Sequence, residues 1–204
     1  MTQVGATLKE LVSRPLPDGA EIAAFLDNLT LPERIAECRS LGGTRLQAAL
    51  WTACLGATRV DTDQMVPPDY PALRPVIFHG KNSLPAFSEF QKICFRPDSA
   101  GDHVAWGYNE TKIRQWIGSG YYVLHDTPQA ALGGAAFDYT MLPEKTLPAW
   151  PEVRTNKAGL SRFIYADMLD YMRRVAADVF IGSAVRRGRE MKSYFIVVRE
   201  LLAQ

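Results

Sequence analysis

Residues 104–142, VAWGYNETKIRQWIGSGYYVLHDTPQAALGGAAFDYTML, contain three apolar, aromatic-rich runs separated by short polar or glycine- and proline-containing breaks. This pattern predicts a β-meander of consecutive antiparallel strands. In the last run Phe137 and Tyr139 share one parity, whereas Asp138 and Thr140 share the other. Successive strand side chains point to opposite faces, so we expect one packed face and one more polar face.

The middle of this stretch is also interpreted as strand, because Ile113 and Ile117 share a parity across residues 113–117. Glycines interrupt the pattern at 118–120 and again at 133–134. Glycines inside a strand pattern mark bulges or sharp bends, as the corners of a barrel require. The sheet is therefore predicted to be curved.

The first quarter of the chain, residues 1–56, is predicted to be helical. Asp18 is placed to cap a helix over 21–29, and Thr30 with Glu33 forms a capping-box pattern for a helix ending near Ser40. Thr44 is placed to cap a third helix, whose apolar stripe we expect to pack on the sheet: Leu46, Ala49, Leu50, Ala53 and Cys54.

The rest of the chain is predicted to continue as one domain, 1–204, with a proline-rich loop over 57–75 and a β region over 76–204. The segment Phe87 to Phe95 fits either a helix or a strand. The other segments are interpreted as strands at 76–79, 163–165, 179–185 and 194–198, with one or two helical turns over 168–174.

Composition excludes several classes of protein. Hydrophobic residues make up 47% and charged residues 22%, which is ordinary for a globular protein, and the net charge of +1 argues against a nucleic-acid surface. No apolar run approaches the roughly 18 residues of a membrane span. The N-terminus lacks the apolar core of a signal peptide, which predicts the cytoplasm. The three cysteines lack metal-ligand spacing and are expected to be reduced and buried.

The sequence carries no motif for a specific chemistry. It lacks a phosphate-binding glycine loop, a dinucleotide fingerprint, a nucleophile elbow and the zinc-protease and calcium-loop patterns. A three-histidine site built from His79, His103 and His125 is conceivable, but nothing in their spacing favours it. We therefore predict no metal and no cofactor.

Polar residues within apolar strands are the remaining candidates for chemistry. Asp138, flanked by Phe137 and Tyr139, is the first, and His125 is the second. An inward Asp138 would have its pKa raised by desolvation and would suit general acid or base catalysis. The alternative is an outward carboxylate on the polar face, which the alternation itself favours. We expect Tyr139 rather than Asp138 to point inward.

A ligand pocket in a barrel needs apolar walls and a few polar groups that fix one end of the ligand. Aromatic side chains and one arginine of the meander supply candidates, although most of them are equally typical of a packed core. The predicted ligand-binding residues are Trp106, Tyr108, Arg114, Tyr122, Phe137 and Tyr139.

The closing part of the chain suggests a family. GGAAFDYT at 133–140 and DYMRRVAADVFIGSAVRRGREMKSYFIVVRE at 170–200 resemble the final segments of lipocalin-like or fatty-acid-binding-like bacterial β-barrels. The resemblance is nearest to the uncharacterised family named for its Gly-X-Trp-X-Gly motif, where a short "DxFR" helical turn would correspond to 170–173. It covers the C-terminal third, and the defining motif is absent. It implies a barrel that encloses small apolar ligands.

These observations predict an α+β, mainly β fold: a curved antiparallel sheet or lipocalin-like barrel with two or three N-terminal helices. The first functional hypothesis is that the cavity binds a small, mostly apolar molecule. Two alternatives stay open. One is a cofactor-independent isomerase, cyclase or decarboxylase acting in the same cavity, and the other is an interaction protein with a filled core. The oligomeric state is left open.

Overall fold

The computed structural model describes residues 6–57, 59–85, 88–98, 103–129 and 131–202. In chain order the elements are the helices α1 (Leu8–Ser13), α2 (Gly19–Asp27), α3 (Leu31–Ser40), α4 (Thr44–Ala53) and α5 (Thr62–Met65), the strands β1 (Val76–Asn82), β2 (Glu89–Phe95) and β3 (Val104–Glu110), helix α6 (Arg114–Ile117), the strands β4 (Tyr122–Asp126) and β5 (Ala135–Asp138), helix α7 (Ser161–Ile164), and the strands β6 (Met168–Ala176), β7 (Val179–Arg186) and β8 (Arg189–Leu201).

The eight strands form one closed antiparallel barrel, in which each strand pairs with the next along the chain. β1 closes the barrel by pairing with β8, from Val76 opposite Leu201 to Asn82 opposite Phe195. The predicted meander is confirmed as β3, β4 and β5. The predicted α+β, mainly β class is confirmed as well. The prediction allowed either a curved sheet or a barrel, and the structure shows the barrel.

The N-terminal helices cover the outside of the barrel, on the part of the wall formed by β6, β7, β8 and β1. Leu8, Ile22 and Leu50 from three of the helices pack in one cluster with Ile181 and Ile196 of the wall. Two of the three predicted caps are present: Asp18 accepts backbone hydrogen bonds at α2, and a capping box stands at the start of α3. The third predicted cap is wrong: α4 begins at Thr44 itself, and Gly43 occupies the cap position.

Leu50→Ala is expected to lower the free energy of unfolding by about 2–5 kcal/mol, because it removes a fully buried side chain between α4 and the barrel wall. Denaturant unfolding followed by circular dichroism measures this change. The matched control is Leu55→Ala, since Leu55 is largely exposed just after the same helix. A loss below about 0.5 kcal/mol for Leu50→Ala would show that this helix contributes little to the fold.

The barrel interior is filled by large side chains. Phe78, Phe137 and Phe180 are buried there, and their rings meet edge-on with centroids 6.1 and 6.2 Å apart. Two glycines make room for two further rings. A methyl group at Gly182 would overlap Phe195, and one at Gly80 would overlap Phe90. Small residues opposite large ones are how a small barrel accommodates its core.

Short helices cover both ends of the barrel. At one end, Thr62 of α5 donates to the Asp126 carboxylate at the end of β4, and Met65 packs on the apolar side chains that fill the barrel interior. At the other end, α6 and α7 lie in the β3–β4 and β5–β6 connections. Ile117 of α6 and Ile164 of α7 pack on the same apolar side chains of the barrel interior.

Four of the sequence predictions about secondary structure are wrong. Residues 113–117 and 163–165 were predicted as strand, but α6 and α7 occupy them. Residues 168–174, including the 170–173 segment of the family resemblance, are strand β6 rather than helical turns. The loop predicted over 57–75 contains α5.

The physical reasons differ. Ile113 and Ile117 are four residues apart, which suits one helical turn as well as a strand. Both faces of β6 are packed, because α2 covers its outer side. The sequence of β6 therefore lacks the alternation of apolar and polar residues that marks a strand. The ambiguous 87–95 segment is strand β2 from Glu89 onward, and residue 87 lies outside the described part of the chain.

Candidate functional site

A lysine lies inside the barrel. Lys92 is at the middle of β2, where it shares the inward parity with Phe90 and Cys94, and its side chain is only 2% exposed. The ammonium Nζ donates to Asp170 Oδ2 at 3.1 Å and to Asn109 Oδ1 at 3.1 Å. Its third hydrogen bond goes to the hydroxyl of Tyr139. All three protons of the ammonium therefore have a partner.

The partners of Lys92 also contact one another. The Tyr139 hydroxyl donates to Asp170 Oδ2 at 3.1 Å and accepts from Asn109 Nδ2 at 3.1 Å. Asn109 Nδ2 also donates to the carbonyl of Gly120 at 2.9 Å, just before β4. We call Lys92, Asn109, Tyr139 and Asp170 the interior polar cluster.

Strand pairing brings this cluster together. Lys92 of β2 is directly opposite Asn109 of β3, and Asp170 of β6 is opposite Phe137 of β5. Tyr139 follows β5 with the same parity as Phe137. Partners in an antiparallel pair share a face, so four residues from four strands or strand ends converge on one side of the interior.

Aromatic rings surround the ammonium group. Five ring centroids lie within 5.8 Å of Lys92 Nζ: those of Phe137 at 4.5 Å, Tyr139 at 4.9 Å, Phe195 at 4.9 Å, Tyr122 at 5.1 Å and Phe90 at 5.8 Å. Ring faces attract a cation within about 6 Å, and more strongly where water is excluded. Tyr165, at the end of α7, stacks on Tyr139 with centroids 5.2 Å apart and covers the cluster from that side.

Burial shifts the pKa values in the cluster. Desolvation lowers the pKa of Lys92, and the Asp170 carboxylate only partly offsets this effect. Desolvation raises the pKa of Tyr139 well above its ordinary value, and the nearby Asp170 carboxylate raises it further. The cluster thus contains an amine that releases its proton more easily than usual and a phenol that keeps its proton.

The predicted ligand-binding residues are divided between the two sides of the barrel wall. Tyr122, Phe137 and Tyr139 point inward, as expected for Tyr139, and Tyr122 and Phe137 belong to the rings around Lys92. Trp106 and Tyr108 alternate along β3 with residues of the inward parity, such as Asn109, so their side chains lie on the outer face. There Trp106 packs with Phe95 and Val123, and Trp150 from the β5–β6 connection packs against this cluster, with its ring on those of Phe95 and Tyr108.

Arg114 is also separate from the interior. It lies at the start of α6, where its Nε donates to Glu110 Oε1 at 3.0 Å. It lines an open surface cavity of about 220 Å³ together with Tyr121, Glu152, Arg154 and Ser161. Because Arg114 and Arg154 are each paired with a glutamate, this cavity has no unbalanced positive charge facing a ligand.

Asp138 and His125 form a pair on the outer face of the barrel. His125 Nε2 lies 3.3 Å from Asp138 Oδ2, and Asp138 Oδ1 accepts hydrogen bonds from the backbone and hydroxyl of Thr140. Burial alone would raise the pKa of Asp138, but the hydrogen bonds from His125 and Thr140 outweigh it and lower this pKa. The hydrogen bond to Asp138 raises the pKa of His125. Asp138 is therefore an outward, ionised carboxylate.

We expect the stability contributed by His125 to fall as the pH rises. Its folded-state pKa is raised, so its contribution is complete below the ordinary value of about 6.5 and is lost as the pH rises through the folded-state value. The pair is partly exposed, so the loss should not exceed about 1 kcal/mol. NMR titration of the His125 ring measures the pKa. Asp138→Asn should return it towards 6.5, and an unchanged titration would contradict the pairing.

Sequence reasoning missed Lys92, Asn109 and Asp170. A signal was present for two of them. Lys92 stands between Phe90 and Cys94 at two-residue spacing, and Asp170 stands between Met168 and Met172 in the same way. A charged residue on the apolar parity of a strand predicts a buried ion. The interpretation of 168–174 as helical turns removed this signal for Asp170.

The cysteines and histidines form no further site in the described part of the chain. Cys38, Cys54 and Cys94 are free and buried, as predicted, and burial raises the pKa of the Cys94 thiol to about 12. His79 and His103 pair with Glu200 and Asp63 respectively. No group of His, Cys, Asp and Glu side chains among the described residues is arranged to hold a metal ion.

The closed eight-stranded antiparallel barrel is consistent with a lipocalin-like fold. Comparison with protein-family models, with curated proteins and with solved structures finds no match. Among the described residues, no helix has the length and apolar character needed to cross a membrane.

Proposed function

We propose that the barrel binds a small, mostly apolar molecule whose polar end contacts the interior polar cluster. The observation that carries this proposal is the buried Lys92–Asp170 pair at 3.1 Å, enclosed by five aromatic rings. A buried ion pair adds little stability compared with apolar residues of similar volume, because both ions lose their hydration. Apolar side chains could fill this part of the core equally well. A role in fixing the polar end of a ligand accounts for the ionic groups that are there instead.

The ligand reaches the cluster through the end covered by α6 and α7. Tyr139 directly follows β5 at this end, and Asn109 contacts the backbone at Gly120, between α6 and β4. The two helices are joined by the Ser161 hydroxyl, which donates to the Ile117 carbonyl at 2.9 Å. Movement of α7 would separate the Tyr165 ring from the Tyr139 ring and expose the interior polar cluster.

Two observations bear on the alternative functions, the enzyme and the interaction protein. Asp138 points outward, which favours binding over catalysis by this carboxylate. The packed interior, with rings placed against Gly80 and Gly182, supports the filled-core interaction protein. Membership of the Gly-X-Trp-X-Gly family stays a prediction. The cytoplasm is the proposed compartment, and the three free, buried thiols support it.

Two measurements test the proposal. The first is native mass spectrometry of protein purified from its own host, which should show a retained small molecule. The second is calorimetric titration with cinnamyl alcohol and cinnamic acid, which combine an apolar ring with one polar end. Lys92→Met should weaken binding about tenfold, because a hydrogen bond to a charged group is lost.

The matched control is Tyr108→Phe, which changes a hydroxyl on the outer face and should leave binding unchanged. Equal binding by Lys92→Met and the wild type would place the ligand outside the interior. A protein that retains no molecule and binds neither probe would contradict the proposal and favour the filled core.

A further inference from the structure

Lys92 has the surroundings that an amine needs to react with a carbonyl group. Its Nζ is shielded from water, a carboxylate lies 3.1 Å away, and a phenol that keeps its proton is in hydrogen-bond contact. Burial also lowers the pKa of the amine, which makes the reactive neutral form more accessible. Desolvated lysines of this kind are the ones that form Schiff bases with carbonyl compounds.

We propose that the interior polar cluster binds an aldehyde or ketone covalently, as an imine on Lys92 Nζ. This inference rests on the proposed function, since the same barrel must first admit an apolar molecule. It goes further by naming the polar end of the ligand as a carbonyl group and Lys92 as the residue that bonds to it.

The reaction balances with the groups present. Lys92 first passes a proton to Asp170, and the neutral amine attacks the carbonyl carbon to form a C–N bond. The carbonyl oxygen takes a proton from the nitrogen through the Tyr139 hydroxyl, giving a neutral carbinolamine. The protonated Asp170 then returns its proton to the carbinolamine hydroxyl, which leaves as water while the C=N bond forms. The product is a protonated imine beside an Asp170 carboxylate.

The charge in the core is the same before and after this reaction. An ammonium–carboxylate pair becomes an iminium–carboxylate pair, so no new charge has to be buried. The rings of Phe137, Tyr139 and Phe195, with centroids within 4.9 Å of Nζ, attract either cation. The carboxylate and the aromatic rings therefore stabilise the product as well as the free lysine.

Lysines at the surface lack this combination. Lys157 and Lys192 are exposed, and Lys81 donates to the Ser88 hydroxyl at 2.7 Å. An exposed amine stays in contact with water, which hydrolyses imines. Comparison of lysines within one protein sample thus provides an internal control.

The experiment is reductive trapping with cinnamaldehyde and cyanoborohydride at neutral pH, followed by peptide mapping. Reduction of the imine raises the mass of the modified peptide by the mass of the aldehyde less one oxygen atom. We expect Lys92 to be the main modified lysine in the wild type. Lys92→Met should lose this adduct, and Lys157→Met should keep it.

Parallel titration with cinnamyl alcohol, which cannot form an imine, separates the two proposals. Binding of both compounds without an adduct on Lys92, or with adducts on surface lysines alone, would overturn the imine and leave the binding function in place. No binding of either compound and no adduct would overturn both. These outcomes are read on the wild-type protein, so they do not depend on the folding of any variant.

Discussion

Asp170→Asn should lower the free energy of unfolding by about 3–5 kcal/mol, because it leaves the Lys92 ammonium buried without its counter-ion. Lys92→Met should destabilise the barrel by a similar amount, since it leaves the Asp170 carboxylate unpaired in the same apolar surroundings. Denaturant unfolding of both variants at neutral pH measures the two losses.

The double variant Lys92→Met/Asp170→Leu is the decisive comparison. It removes both charges and fills their space with apolar side chains, so it should recover most of the stability that either single change loses. Arg154→Ala is the control, because its ion pair with Glu152 is largely exposed and should contribute less than about 1 kcal/mol. Additive losses in the double variant would show that the two charges do not interact in the core.

Phe137→Ala should lower the free energy of unfolding by about 3–5 kcal/mol. Its ring is fully buried at the centre of the barrel, between Phe78, Tyr122 and the Lys92 ammonium, and their contacts with it would be replaced by a cavity. Thermal and denaturant unfolding measure the loss.

Phe163→Ala is the matched control for Phe137→Ala, because Phe163 of α7 is 61% exposed and should change stability by no more than about 0.5 kcal/mol. A loss at Phe137 as small as the one at Phe163 would mean that the interior relaxes around the missing ring. It would also mean that the interior is less tightly packed than its ring contacts indicate.

The fold was largely predictable because its signals are local. Capping residues such as Asp18 and Thr30 mark helix starts, and the alternation at 135–140 marks strand β5, although all residues of β5 are buried. The errors fall on short segments, where a spacing of four residues fits either one helical turn or two repeats of a strand. They also fall on β6, where packing on both sides of the wall removes the alternation.

The candidate site was less predictable because it depends on pairing between distant strands. Asp170 reaches Lys92 across 78 positions of sequence, and only closure of the barrel sets that distance. Local patterns assign Tyr122, Phe137 and Tyr139 to the interior correctly. They cannot tell that Trp106 and Tyr108 lie under the β5–β6 connection, since that depends on where Trp150 packs.

On the ribosome, this barrel cannot close until its final strand has been synthesised. β1 begins at Val76 and pairs with β8, which ends at Leu201, so β1 must wait for more than a hundred residues of chain before its second neighbour exists. During that time the nascent sheet has open hydrogen-bonding edges, and the N-terminal helices lack the β7–β8 wall on which they pack. Barrel closure is therefore expected to come late, and folding to be slow, because the β1–β8 pairing joins distant parts of the chain. Nascent chains stalled before β8 should depend on chaperones to stay unaggregated.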